Sequence, residues 1–260
     1  MPEFNETLLD FEYLYGLIGY PLSHSFSKRY FAQKFEKEGI TNAFYELFPL
    51  EQIGELDTLL ANYPNLRGLN VTIPYKEQVL PFLDEMDESA AAIGAVNAIK
   101  IANGKRIGYN TDAYGFEITL RQALLQHPFQ VAEALVLGTG GAAKAVIFVL
   151  RKLNIGYKTV SRAAGKADLT YEALNPAIMK SNLLVINTTP LGMHPGIETF
   201  PNIPYHCLCN EHLLYDLVYN PEKTLFLQKG EARQAQMING LPMLYAQAAR
   251  AWAIWNAIAD

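Results

Sequence analysis

One stretch restricts the folds open to this chain more than any other. Residues 134–146 read Ala-Leu-Val-Leu-Gly-Thr-Gly-Gly-Ala-Ala-Lys-Ala-Val. A short apolar run has the composition of a buried strand. Glycines follow at once, and then helix formers. The spacing is G-x-G-x-x-A, with Gly138, Gly140 and Ala143. In a strand–turn–helix unit the first glycine permits the tight turn. The second lets backbone N–H groups approach a pyrophosphate, and the third, small position lets the helix pack closely on the strand. The helix start adds free N–H donors and a positive dipole end. The loop Gly138, Thr139, Gly140, Gly141 and Ala142 is therefore a candidate dinucleotide-binding turn. The periodicity predicts a helix from about Ala142 to Leu153 and a second strand over Tyr157–Val160, which closes a βαβ unit.

Composition narrows the class. Half of the 260 residues are apolar and 18% are charged, enough for a substantial core. The net charge of −5 argues against a partner held by general electrostatic attraction to nucleic acid. Cys207 and Cys209 are too close in sequence to pair without strain and lack His or Cys partners at metal spacing, so two reduced thiols are expected. The acidic start (Glu3, Glu6, Asp10, Glu12) carries no basic, then apolar, leader pattern, and no run of apolar residues is long enough to span a membrane. A cytoplasmic protein is the expectation.

Before the glycine turn, apolar strands alternate with amphipathic helices. Strands are expected at Tyr13–Gly19, Ala43–Phe48 and Leu66–Ile73, and helices at about Lys28–Glu38, Leu50–Ala61 and Tyr75–Met86. Glu88–Ile93 is a further helical turn or two. Asn103-Gly104 marks a hairpin whose arms run from Gly94–Ile101 and over Lys105–Tyr109. A helix follows from about Ala113 to Leu125. Beyond the βαβ unit, Leu183–Asn187 and Leu213–Val218 are apolar strands ending in polar loops, and Leu244–Ala259 is a terminal helix. This alternation predicts an α/β fold with mostly parallel sheets and a domain boundary near 110–115.

Polar residues gather where strands end. They are His24 to Ser27, Asn70 to Lys76 (N-V-T-I-P-Y-K), Asn97, and Asn110-Thr111-Asp112. Each has a structural alternative. The serines can cap and turn, Asn97 can form a turn, Asp112 can cap the helix at Ala113, and Lys76 can be a solvated lysine. Together they supply hydroxyls, amides, one ammonium and one carboxylate beside a dinucleotide turn. That set suits a small polyhydroxylated acid and a proton transfer coupled to hydride transfer.

With these motifs in order, the chain resembles the shikimate dehydrogenase family over nearly its whole length. The matching stretches are S-x-S (Ser25, Ser27), N-V-T-x-P-x-K (Asn70–Lys76), G-A-V-N (Gly94–Asn97), N-T-D-x-x-G (Asn110–Gly115) and the glycine loop. N-x-T-P-x-G (Asn187–Gly192), D-x-x-Y-x-P (Asp216–Pro221) and N-G-x-x-M-L-x-x-Q-A (Asn239–Ala248) follow. The resemblance implies two domains. A substrate domain of 1–112 plus 241–260 would include the returning last helix, and 113–240 would be a Rossmann-type NADP-binding domain. It implies Lys76 and Asp112 as the catalytic pair, with Ser25, Ser27, Thr72, Asn97, Tyr219 and Gln247 as substrate-binding residues. Ser25, Ser27 and Tyr219 would hold the substrate carboxylate. Glu88, Leu217 and Gly240 would lie toward the nicotinamide or the cleft.

NADP rather than NAD is expected as cofactor. The second nucleotide-binding strand ends in Ser161-Arg162, with no acid until Asp168. A hydroxyl and a guanidinium suit a 2′-phosphate, which a carboxylate would repel. Lys158 and Lys166 add positive charge nearby. The chain departs from the family's common Asn-Arg-Thr at Ser161-Arg162-Ala163, and also at Pro242 and Ala98. The implied activity is reversible NADPH-dependent reduction of 3-dehydroshikimate to shikimate by a monomer or homodimer. The alternatives are an NAD-using quinate/shikimate dehydrogenase and a non-catalytic nucleotide-binding regulator on the same fold.

Overall fold

The computed structural model describes residues 4–22 and 26–257. The chain folds into two compact units, Met1–Thr111 with Ala248–Asp260, and Asp112–Gln247. The chain leaves the first unit at the start of one helix and re-enters it within the last.

In the first unit β1 (Tyr13–Gly19), α1 (Phe26–Glu38), β2 (Ala43–Pro49), α2 (Leu56–Asn62), β3 (Leu66–Val71) and α3 (Tyr75–Gln78) alternate. The strand β4 (Glu85–Met86), the helix α4 (Glu88–Ile93) and the hairpin β5 (Ala98–Ala102) and β6 (Lys105–Tyr109) follow. Sheet order is β2-β1-β3-β5-β6-β4. Only β5 runs against the others, pairing antiparallel with both β3 and β6. The hairpin turns through Asn103 and Gly104, both at positive φ (53° and 73°), as a two-residue turn between right-twisted strands requires.

Two expected helices are shorter than the periodicity suggested. Over 50–61 a 3₁₀ turn at Ile53–Glu55 precedes α2. Over 75–86, Pro81 sits in a 3₁₀ turn at Leu80–Phe82, since it has no N–H to continue an α-helix. The segment then ends in β4, an edge strand too short to carry a period.

The second unit opens with α5 (Thr111–Gln126), then β7 (Glu133–Leu137), α6 (Gly141–Lys152), β8 (Gly156–Ser161), β9 (Leu169–Thr170), α7 (Pro176–Ser181), β10 (Leu184–Asn187), β11 (Leu213–Asp216), α8 (Leu225–Glu231) and β12 (Gln236–Ile238). Its sheet runs β12-β11-β10-β7-β8-β9, with every pair parallel. Numbered from β7, this is the 3-2-1-4-5-6 order of the doubly wound dinucleotide fold. β10 and β11 are buried at every residue, as expected for strands covered on both faces. The short edge strands β9 and β12, and the helices α7 and α8, had no sequence signal strong enough to be anticipated.

The last helix, α9, spans Leu241–Asn256. It starts earlier than the expected 244, because Pro242 is tolerated in a first turn, where its missing N–H has no intrahelical partner. Its end packs on the first unit. Trp255 Nε1 donates to Ile99 O at 2.9 Å, and its ring stacks on Tyr15 at 5.1 Å. Lys100 Nζ donates to Ala257 O at 2.7 Å, satisfying a carbonyl just beyond the helix end. Among the described residues no helix is long and apolar enough to cross a membrane.

Candidate active site: two sheet edges

In the first unit β1, β3 and β6 end on the same edge, and the reversed β5 begins there. Register fixes this, since Ile18 is beside Val71, Asn70 beside Ala98, and Ala98 beside Tyr109. That edge gathers Ser27, Thr72, Lys76, Asn97 and Thr111. Ser25 lies outside the described residues. Thr72 continues β3 by donating its N–H to Ile18 O at 2.9 Å. Lys76 is half-buried in α3, and its carbonyl accepts from Val96 N at 2.8 Å, tying α3 to the Gly94–Asn97 turn.

Asn97 is buried and works as a clamp. Its Oδ1 accepts from Thr111 N at 2.6 Å, and its Nδ2 donates to Thr111 Oγ1 at 3.0 Å. It thereby satisfies a backbone donor at the first residue of α5, one of the N–H groups that a helix leaves open. Asn110 Nδ2 reinforces the clamp by donating to Ala95 O at 2.8 Å. The helix begins at Thr111 rather than Ala113, so Asp112 stands inside the first turn and is not its cap. A carboxylate there still favours the helix dipole. A second chain of bonds lies beneath. Tyr45, buried, donates to Asn70 Oδ1 at 2.8 Å and also hydrogen-bonds Ser27, while Asn70 Nδ2 donates to Asn97 O at 3.3 Å. Burial pushes the Tyr45 phenol well above its ordinary value, so it stays neutral.

In the second unit Asp112 is buried in the first turn of α5. One turn on, Gly115 permits a close helix crossing, since a Cβ there would lie 2.7 Å from Met243 O and 3.3 Å from Gln247 N. The crossing brings Gln247 of α9 alongside the turn that carries Asp112.

The glycine turn has the shape its spacing implied. Gly138 has φ +115°, which an L side chain rarely adopts, and a Cβ would meet Thr188 Oγ1 at 2.6 Å. Thr188 in turn donates both its N–H and its hydroxyl to Leu137 O, at 3.0 and 2.7 Å. Gly140 precedes α6 in extended conformation, with no side-chain cap and nothing within 4 Å of where its Cβ would be. An uncapped helix start with open space beside it fits a pyrophosphate, whose oxygens would take the N–H groups at the start of α6.

The end of β8 fits a 2′-phosphate. Asp168 is engaged by the strand itself. It accepts from Thr159 N and Thr159 Oγ1, both at 2.7 Å, and these bonds hold its carboxyl below the usual range. Ser161 Oγ accepts from Ala163 N at 3.2 Å, shaping the turn, and Arg162 is exposed.

A buried acid, Asp216, holds the other half of this edge. At the end of β11, it accepts from Asn187 Nδ2 at 2.9 Å, from Val218 N at 3.0 Å and from the Thr224 hydroxyl. Asn187, at the end of β10, accepts from Thr189 N and Oγ1 at 3.1 and 2.6 Å. Leu217 follows Asp216 directly, and a Cβ on Gly240 would lie 2.1 Å from Leu217 O, so these two backbones touch. Tyr219 is half-buried in the same loop.

The expected residues thus divide between the units. Ser27, Thr72, Lys76 and Asn97 share the edge of the first sheet. Asp112, Tyr219, Gln247, Gly138, Thr139, Gly140, Gly141, Ala142, Ser161, Arg162, Leu217 and Gly240 belong to the second unit. Glu88 is the expected cofactor residue that belongs to the first unit. It is exposed in the first turn of α4 in the first unit, whose cap is Asp87. Sequence reasoning left Tyr45, Thr111 and Asp216 without individual roles. Only the last carried a signal, as the lone acid closing an apolar strand. Cys207 and Cys209 are free thiols, and no group of His, Cys, Asp and Glu among the described residues could hold a metal.

An all-parallel sheet of this order, with an open glycine turn at its switch point and a second α/β unit carrying amides, hydroxyls and a lysine, defines a two-domain dinucleotide-dependent dehydrogenase. The profile of the shikimate dehydrogenase substrate binding domain matches residues 17–99. Over 94% of its length the chain is 37% identical to shikimate dehydrogenase (NADP(+)) of Halothermothrix orenii, of which 90% is covered. The structure superposes with a TM-score of 0.81 on shikimate 5-dehydrogenase from Thermus thermophilus in complex with NADP(H) and shikimate, at 30% identity and 95% coverage of each chain. It also matches quinate dehydrogenase from Corynebacterium glutamicum in complex with NAD, at 25% identity and a TM-score of 0.82, covering 95% of this chain and 94% of that one. The chain belongs to the shikimate dehydrogenase family.

Proposed function

We propose that this chain catalyses the reversible, NADPH-dependent reduction of 3-dehydroshikimate to shikimate, a step of aromatic amino acid biosynthesis. The observation that carries the reading is the open turn at Gly140, in a chain 37% identical to a shikimate dehydrogenase (NADP(+)). The backbone from Gly138 to Ala142 would hold the pyrophosphate, Ser161 and Arg162 would hold the 2′-phosphate, and Glu88, Leu217 and Gly240 would serve the nicotinamide end. NADPH supplies the hydride to the C3 carbonyl of the substrate. Lys76 gives its ammonium proton to the developing alkoxide and takes it back in the reverse direction. Asp112 orients that ammonium and accepts from a substrate hydroxyl. Ser25, Ser27 and Tyr219 take the substrate carboxylate through their hydroxyls, and Thr72, Asn97 and Gln247 bind the rest of the ring substituents. The enzyme acts in the cytoplasm, as a monomer or homodimer, on a free small molecule.

The likeness to the Corynebacterium glutamicum quinate dehydrogenase favours a second reading, an NAD-using enzyme acting on quinate as well. Arg162, and an Asp168 carboxylate already engaged by Thr159, weigh against it. Initial rates with shikimate and quinate, each with NADP and NAD, separate the two. The expected outcome is a higher kcat/KM with shikimate and NADP, and preference for NAD overturns the cofactor assignment. Arg162→Ala is expected to raise the KM for NADP about tenfold or more, the scale of losing a charge-assisted phosphate contact, and to leave that for NAD nearly unchanged. Equal weakening of both cofactors removes Arg162 from 2′-phosphate recognition. No turnover with either acid would favour the regulator reading.

A further inference from the structure

Asp216 is fully buried at the end of β11, and its three partners are all neutral: the Asn187 amide, the Val218 N–H and the Thr224 hydroxyl. No ion pair among the described residues includes it. Burial raises its carboxyl to about 6, while the hydrogen bonds from Thr224, Val218 and Asn187 hold it down. All three partners donate and none accepts, the pattern that an ionised carboxylate takes. Its negative charge also contributes, after burial, to raising the phenol of Tyr205. An ionised carboxylate kept in the interior without a cation is costly, and strongly perturbed acids concentrate at functional sites.

The sheet order says which part of a dinucleotide that charge faces. The glycine turn after β7 and Ser161-Arg162 after β8 take the phosphates, which puts the adenosine half on the β8 side. The rest of the ligand crosses the switch point between β7 and β10 toward the ends of β10 and β11. Asp216 closes β11. Its bond to Asn187 steadies the Thr188-Thr189 turn against the glycine loop, and its bond to Val218 shapes the loop after β11. A nicotinamide ring carries a unit positive charge when oxidised and none when reduced. A fixed anion beneath its end of the site therefore discriminates between the two forms, and a preorganised charge in a low-dielectric interior acts at longer range than one in water.

We propose that Asp216 is an electrostatic positioning residue that selectively stabilises the oxidised, cationic nicotinamide and so favours hydride departure from NADPH. The proposal rests on the reading of the second unit as an NADP site. The test is equilibrium binding, by titration calorimetry, of NADP⁺, NADPH and adenosine 2′,5′-bisphosphate to the parent and to Asp216→Asn. A unit charge acting over about 10 Å at an effective dielectric constant of about 20 corresponds to roughly a five- to twentyfold change in Kd. That factor is expected as a rise in the ratio of the Kd for NADP⁺ to that for NADPH, because the phosphates common to both forms feel the lost charge equally, and the bisphosphate, which lacks the nicotinamide, reports the phosphate part alone. Asp216→Ser, which removes the charge with a smaller side chain, is the second variant should the amide not fold, and the same split is expected of it. Equal loss of both cofactor forms would mean that Asp216 only holds the loops, and unchanged binding would mean that its charge is not felt. Either result overturns the proposal. A parent that binds neither form overturns the NADP reading itself, an outcome distinct from both.

Discussion

The sheet edge of the first unit is made of side chains that hold one another, whereas that of the second is made of bare backbone around one buried charge. Asn97 with Thr111, and Asn70 with Tyr45, are linked amide to hydroxyl, while Asn110 and Asn70 donate to the carbonyls of Ala95 and Asn97. Such an edge can tell one arrangement of ring hydroxyls from another, because a buried polar group left without its partner costs about 1–3 kcal/mol. The second edge presents Gly138 and Gly140 and an uncapped helix start. Phosphate groups need strong, repeated donors more than stereochemical detail, and bare N–H groups supply them. The contrast teaches that recognition by side chains requires its own scaffold of buried hydrogen bonds. Recognition by backbone requires side chains to be absent at the turn itself, while Thr188, Asn187 and Asp216 hold the neighbouring loops.

Lys76→Ala tests that contrast most severely. If the lysine of the first edge is the proton donor, kcat falls by about 10²–10⁴-fold while substrate KM moves much less. Steady-state rates decide, and activity within about threefold of the parent would leave the chemistry without Lys76.

Asp112→Asn preserves shape and a helix-start residue but removes charge. Turnover is expected to fall by about tenfold or more, with thermal unfolding nearly unchanged, as for a group acting on the reacting lysine and substrate. A variant with full turnover would make Asp112 only a dipole-compensating residue of α5, whose removal costs about 0.3–1 kcal/mol of stability.

The two glycines of the second edge should fail differently. Gly140→Ala has room for its methyl group, so the melting temperature should hold while NADP binding weakens by about tenfold, the effect of a lost phosphate contact. Gly138→Ala, forced to positive φ against Thr188, should lose about 1–3 kcal/mol of stability. Denaturant melts and cofactor titrations on the pair separate the effects. Identical behaviour of the two variants would break the distinction between a turn that shapes the chain and one that faces the ligand.

The smallest effect is expected from Thr111→Val. It removes the hydroxyl partner of Asn97 but leaves the backbone bond, at a cost of about 1 kcal/mol in chemical denaturation. A larger loss, or one accompanied by a rise in substrate KM, would show that the clamp also sets the geometry of Asn97 for ligand.

Much of the fold was legible because periodicity and punctuation are local. Strands β1, β2, β3, β7, β8, β10 and β11 were read directly from their runs of strand-forming residues. Asn103-Gly104 announced the hairpin, and Gly138 to Ala143 the turn into α6. The short elements β4, β9, β12, α7 and α8 did not, since two to seven residues hold too little of a period to read. Pro81 and Gly54 cut short the helices that longer windows had suggested.

By itself the sequence determined the alternation of strand and helix, the glycine turn and the family, because these depend on which residues are neighbours along the chain. It determined too that Asp168 is the first acid after β8. Only the tertiary structure decided that Asp168 is bound to Thr159, that Asn97 reaches Thr111 to start α5 one turn's fraction early, and that Asp216 lies buried among neutral partners. The reason is that a hydrogen bond between residues far apart in sequence, and the burial that gives it weight, arise only when strands have taken their places in a sheet. Composition and spacing specify which groups are present, while pairing and exclusion of water specify what each group can do.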